Sequence, residues 1–238
     1  MTKKIIITQP TFLPYAGYFA PMYFVDEIIF LDDVQFEKRS WQQRNKIKDS
    51  KKTIYLTVSV NTKGRFSQKI NDVLINPSSK SLDNILKSIY FNYKNSNYFN
   101  LYYKEFEKIF SNKNEKLIDL NISLINKINE FLDINNNKII LSSSINSKKK
   151  KFDLIHDIYI KSNATELLST IGAKKYFPDN LPEGMEVKFY EYIEKNMYEQ
   201  LYGEYVPNLS IIDILFNLGP KAKDLIKKNL IECTPQLK

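Results

Sequence analysis

The chain has one cysteine, one histidine, one tryptophan and, within 35 basic residues, only three arginines. Each scarcity excludes something. A single thiol, Cys233, permits no intramolecular disulfide, which fits a reducing compartment and predicts a cytoplasmic protein. A lone imidazole, His156, leaves no Cys/His set for an ordinary zinc site, and no metal is expected. The opening MTKKIIITQP holds one short isoleucine run, too brief for a secretory h-region. No segment reaches the ~18 apolar residues of a membrane span, so no membrane insertion is expected.

What is present describes an ordinary folded chain. Hydrophobic residues at 43% and charged residues at 26% of 238 argue against extended disorder. The length suits one α/β domain over residues 1–238, with a helical insert or subdomain at 81–133. The net charge of +8 raises the question of a polyanionic partner. Lysine, however, is scattered among Asn and Ile, as in INNNKII and NSKKKKF, which points to compositional bias and argues against a nucleic-acid partner. Arginine is different: Arg39, Arg44 and Arg65 all fall in one short window, where a planar fork for phosphate or carboxylate competes with ordinary surface pairing.

The patterning predicts a Rossmann-like, mostly parallel sheet flanked by helices. Lys4–Thr8 reads as a buried strand, Gly17–Val25 as a helix and Ile28–Leu31 as a second strand, forming a β-loop-α-β unit. Thr53–Val60, Lys69–Ile75, Lys138–Leu141, Thr165–Leu168 and Val187–Tyr190 read as further strands, the last of these closing the set. Helical spacing runs from Ser81 to Leu132, at Asp153–Ser162 and, near the end, at Ser210–Asn217 and Lys221–Asn229. Ser142–Lys151 reads as a polar, basic loop.

Two segments carry candidate chemistry. In QPTFLPYAGYF, Pro10, Pro14 and Gly17 stiffen a loop ahead of a helix, a corner able to hold phosphate or carboxylate, or simply a Pro-rich connection. In LDDVQFEKRSWQQRNKI, Asp32, Asp33, Gln35, Lys38, Arg39, Trp41, Gln42, Arg44 and Asn45 follow a strand closely. The paired carboxylates could bind a hydrated Mg²⁺, act as a base, or fix an arginine. Trp41 is either a stacking surface for a base or sugar, or a half-buried core indole.

These two motifs, together with PNLSIIDILFNLGP at 207–220, resemble the WbqC-like family over nearly the whole chain. Lys63-Gly64 and the turn from Ser169 through Gly172 to Tyr176 resemble family positions too, whereas Thr8 stands where many members carry His, and Thr170 where many carry Gly. The resemblance implies a role in bacterial O-antigen or capsule polysaccharide biosynthesis. The opening corner also resembles that of nucleotidyltransferases and pantothenate-synthetase-like enzymes, which activate carboxylates, a likeness of fold alone.

The expectation that follows is a transferase placing an acyl or aminoacyl (glycyl, for instance) group on the amine of a nucleotide-linked amino sugar, the alternatives being a non-catalytic nucleotide-sugar binding or assembly protein and a nucleotidyltransferase- or ligase-like enzyme activating a carboxylate. The donor would be an acyl-CoA or an aminoacyl-tRNA, tRNA being the one nucleic acid expected. Asp32, Asp33, Gln9 and Lys38 are the candidate catalytic residues. Substrate would be held by Pro10, Tyr15, Gly17, Tyr18, Gln35, Arg39, Trp41, Arg44, Asn45 and Lys63, with Ser169, Gly172, Tyr176, Asp213 and Asn217 as opposing walls.

Overall fold

A computed structural model describes residues 2–112, 114–134 and 138–233. The first strand, β1 (Lys4–Thr8), lies in the middle of a six-stranded sheet. It pairs in parallel with β2 (Glu27–Phe30) on one side and β6 (Glu166–Thr170) on the other. Beyond them lie β5 (Lys138–Leu141) and β7 (Val187–Tyr192), also parallel, and β8 (Leu230–Cys233) closes one edge antiparallel to β7. Counting only strands of this sheet, the spatial order is 3-2-1-4-5-6, the dinucleotide-fold order, and the fold is α/β.

Burial on both faces explains the unbroken apolar strands. Ile6, Ile28, Phe30, Leu168 and Tyr190 point into the larger core, while Ile5, Ile29, Leu167, Val187 and Phe189 point into the smaller one. The smaller face is covered by α6 (Lys151–Lys161) through Leu154, Ile158 and Tyr159. The larger face receives α2 (Ser81–Tyr93), α3 (Phe99–Ser111) and α4 (Leu117–Phe131), whose apolar residues recur at helical spacing, as at Tyr102, Phe106 and Phe110. The rings of Phe131 and Phe216 meet Phe106 edge-on. Phe216 belongs to α7 (Ile211–Leu218), which is buried from Ile211 to Phe216, and α8 (Ala222–Lys228) follows it.

The structure differs from the sequence reading at several points. The first helix is α-helical only over Ala16–Phe19 and tightens to a 3-10 turn at Ala20–Phe24, where Pro21 has no N–H to give. The 53–60 segment is a strand over Thr53–Thr57 (β4), paired antiparallel with the unanticipated β3 (Arg44–Lys48) in a separate hairpin. Residues 69–75 form a 3-10 turn at Ile70–Asp72 between isolated bridges. The basic loop opens with a short helix, Ser142–Ile145. Strand β8 lies beyond the segment read as the last strand. Asn135–Asn137 of the INNNKII stretch lie outside the described residues.

Candidate functional site

In an open sheet of this order, the crevice lies between β1 and β6, whose outgoing connections run in opposite directions, at the strands' carboxyl ends. A cleft of about 640 Å³ opens there, lined by Thr8, Gln9, Thr11, Pro14, Tyr15, Tyr18, Trp41, Asn45, Lys46, Tyr192 and Asn208. Its size falls in the range of small-molecule sites.

The floor is the 9–15 loop, held by buried amides and a hydroxyl. Asn45 donates from Nδ2 to the carbonyls of Leu13 at 2.7 Å and Phe12 at 3.4 Å. The Ser210 hydroxyl adds a bond to Leu13 O at 2.8 Å, and Ile211 N bonds Pro14 O at 2.8 Å. Asn121, wholly buried on α4, donates to Pro10 O at 3.1 Å and Gln42 O at 2.8 Å. Phe12 N bonds Trp41 O at 2.8 Å, and Gln42 Nε2 reaches Gln9 Oε1 at 2.9 Å. These bonds hold Leu13 at φ 40°, a left-handed conformation a leucine does not adopt freely.

The tyrosine wall is packed as tightly. A Cβ on Gly17 would lie 2.4 Å from Tyr15 Cε2 and 2.7 Å from Tyr192 Cβ, so the glycine is required for ring packing. Tyr15 and Tyr192 meet edge-on, and the Tyr18 hydroxyl donates to Gln9 O at 2.9 Å. Burial pushes the pKa values of all three phenols up, and nearby Glu194 adds to this for Tyr15 and Tyr192. They therefore stay neutral donors at ordinary pH. Glu194 also accepts from Tyr205 OH at 2.6 Å and from Asn208 N at 3.2 Å, fixing the far wall.

The open side is aromatic and cationic. Trp41 is 51% exposed and its indole is tilted against Tyr55, with ring centroids 6.5 Å apart. The Arg44 guanidinium sits 4.5 Å over the Tyr55 ring. Arg39, at φ 58°, and Lys38 are exposed beside this surface in sequence, and the Arg39 N–H is held by Gln43 Oε1.

The other sequence candidates lie away from the cleft lining. Asp32 is buried at the end of β2, its carboxylate accepting from Ser143 N at 2.8 Å, Ser142 Oγ at 3.1 Å and Asn71 Nδ2 at 3.0 Å. These bonds tie β2 to the short 142–145 helix. Asp33, half-buried, also accepts from Ser142 Oγ. Gln35 reaches Phe66 O at 3.4 Å, and Lys63 stands on the exposed turn with Gly64.

Ser169 is the penultimate residue of β6, paired with Phe189 of β7, whereas Gly172 and Tyr176 are exposed in a 3-10 turn with no buried residue. Asp213 is buried, accepting from Tyr93 OH at 2.7 Å and Tyr198 OH at 2.6 Å. Burial raises its pKa above the ordinary carboxylate value, against the pull of those two hydroxyls. Asn217 bonds back to Asp213 O at 2.8 Å and faces a different cleft of about 350 Å³, with Ser96 and Gln200.

Sequence reasoning missed Lys46, Tyr192, Asn208 and Asn121. Two of these left a signal. Lys46 alternates with inward Asn45 and Ile47, as a half-buried strand requires, and Asn121 interrupts the apolar face marked by Leu117, Leu120 and Leu124. Tyr192 and Asn208 are brought in by tertiary folding alone.

The uncharacterized protein Rv1507c of Mycobacterium tuberculosis is 32% identical over 228 residues, covering 94% of this chain and 98% of that protein. No solved structure matches. Residues 9–225 match the WbqC-like protein family. That span takes in the clamped loop, the tryptophan edge and the buried helix α7 behind them, and the chain belongs to the WbqC-like protein family.

Proposed function

We propose that the cleft binds a nucleotide-linked amino sugar and that the protein transfers an acyl or aminoacyl group onto the sugar amine, in bacterial surface-polysaccharide biosynthesis. The observation that carries this reading is a largely apolar, tyrosine-lined cleft with convergent amide and hydroxyl groups at the switch point of a dinucleotide-type sheet, bordered by one exposed indole and a lysine. Trp41 stacks on the base, Lys46 and the neighbouring Arg44 neutralise the diphosphate, and Gln9, Asn208 and the neutral tyrosines orient the sugar. Neither of the two adjacent carboxylates lines the cleft, Asp32 being committed to Ser142, Ser143 and Asn71 and Asp33 to Ser142, so the amine proton passes to the donor's leaving group.

Thermal denaturation with UDP- and dTDP-linked amino sugars tests the first half: a ligand at 100 times its Kd adds about 2.7 kcal/mol. Mass spectrometry of the sugar after addition of an activated acyl donor tests the second. Absence of stabilisation by every nucleotide sugar would sink the proposal. No carboxylate lines the described cleft, and this favours one rival, a nucleotide-sugar carrier without chemistry. The carrier predicts full binding and no N-acylated product with any donor.

A further inference from the structure

Helix α2 carries more apolar surface than the fold uses. Its helical spacing accounts for Ile85, Ile89 and Tyr93, which are buried against the core, and asks for polar residues on the outer side. Tyr90 and Phe91 break that rule. Tyr90 is 42% exposed and Phe91 65%, and with half-buried Leu86 they line a shallow groove of about 420 Å³ beside α3. None of these residues lines the cleft, so this surface is independent of the function proposed for it.

Charge is laid out along the same face in a definite order. Asp83 lies in the first turn, Lys94 caps the last, Lys87 stands between them, and all three are exposed. Positions 83, 87, 90 and 94 recur at intervals of three and four and therefore share one side of the helix. Among the described residues none of the three charges belongs to an ion pair, although the Lys94 ammonium rests 5.8 Å from the centres of the Tyr90 and Phe91 rings.

Such a face is complementary to itself in one direction only. An antiparallel arrangement of two copies brings Asp83 of each to Lys94 of the other, the two ion pairs lying about 16 Å apart along the helices, with Leu86, Tyr90 and Phe91 of both copies gathered between them. A parallel arrangement sets Asp83 against Asp83 and Lys94 against Lys94, which repel.

We infer that the protein pairs with a second copy of itself through the outer face of α2, the two helices running antiparallel about a two-fold axis midway between Asp83 and Lys94. The contact is the same patch on both copies, so it closes at two. Burial of Tyr90 and Phe91 supplies the affinity, whereas the exposed ion pairs contribute little energy and set the direction. One helix face lies at the small end of protein interfaces, so the pairing is reversible.

Sedimentation velocity over a concentration series is expected to show a monomer–dimer equilibrium with a Kd on the order of 10–100 µM. Phe91→Glu is expected to weaken it at least about tenfold. Because Phe91 is exposed in the monomer, the thermal midpoint of this variant at low concentration is expected to match that of the unaltered chain. Asp83→Lys and Lys94→Asp are each expected to weaken pairing about threefold to tenfold, and the double variant to restore it, since the pairs form again with signs exchanged. Direction is read by oxidation in a Cys233→Ser background, where Lys87→Cys, near the axis, is expected to give a disulfide-linked dimer and Lys94→Cys, far from it, is not.

A monomer at every concentration up to about 1 mM overturns the inference. So does a dimer indifferent to Phe91→Glu, a double charge variant that does not recover, or cross-linking through Lys94→Cys in place of Lys87→Cys.

Discussion

The floor and the open side of the cleft belong to one sequence neighbourhood yet obey opposite rules. In the floor, amide side chains are buried and spent on backbone carbonyls: Asn45 on Phe12 and Leu13, Asn121 on Pro10 and Gln42. On the open side, Trp41, Tyr55 and Arg44 are held mainly by one another and by the hairpin beneath. The polar density of 32–45 thus mixes residues that build the site with residues left available to a ligand. Burial separates them where composition does not.

Truncation experiments can break this division, and the floor is where the largest effect is expected. Asn121→Ala orphans two buried carbonyls at about 1–3 kcal/mol each, so a stability loss of roughly 2–6 kcal/mol in urea denaturation is expected, together with lost ligand binding. A loss below about 0.5 kcal/mol would show that the 9–15 loop stands without its clamp.

Gly17→Ala is next, at about 1–3 kcal/mol for overpacking, because the new methyl overlaps Tyr15 and Tyr192. Here the sharper readout is ligand affinity, since both rings line the cleft. Trp41→Ala is expected to change stability by no more than about 0.5 kcal/mol while weakening nucleotide-sugar binding by about 0.5–1.5 kcal/mol. Calorimetry on the same variant separates the two quantities. Destabilisation with intact binding would move Trp41 from the open side to the frame.

How much of this was legible in the sequence depended on whether local pattern or distant packing decided the outcome. The isoleucine runs of β1, β2 and β5 and the helical spacing of α2–α4 state their structure locally. β3 was hidden because its sequence, RNKIK, places only Ile47 as an apolar marker, its other inward position being polar Asn45, while Lys48 on the outward face is covered. Lys48 is buried because residues 200–204 fold over it, its ammonium donating to Gln200 Oε1 at 3.0 Å.

The same limit applies to the site. Gln9, Tyr15, Tyr18, Trp41 and Asn45 could be picked out from the Pro/Gly/aromatic motifs and do line the cleft. Asp32 and Asp213 stood out equally well as polar residues in suggestive places. What excludes them from the lining is three donors on one and two tyrosine hydroxyls on the other, and the contacts from Ser142 and Ser143 to Asp32 and from Tyr93 to Asp213 are each made across more than a hundred residues.

The central place of β1 has a consequence for how the chain assembles. Its two neighbours are separated by much of the sequence, and the Leu13 carbonyl receives a hydroxyl from 197 residues further on. Contacts that close such long loops carry their entropic cost before they return any stability, and they slow folding. During synthesis the N-terminal motif emerges first but lacks β6, Tyr192 and Ser210 until most of the chain has followed. The cleft therefore belongs to the last parts of the molecule to take shape, although its floor is among the first to be made.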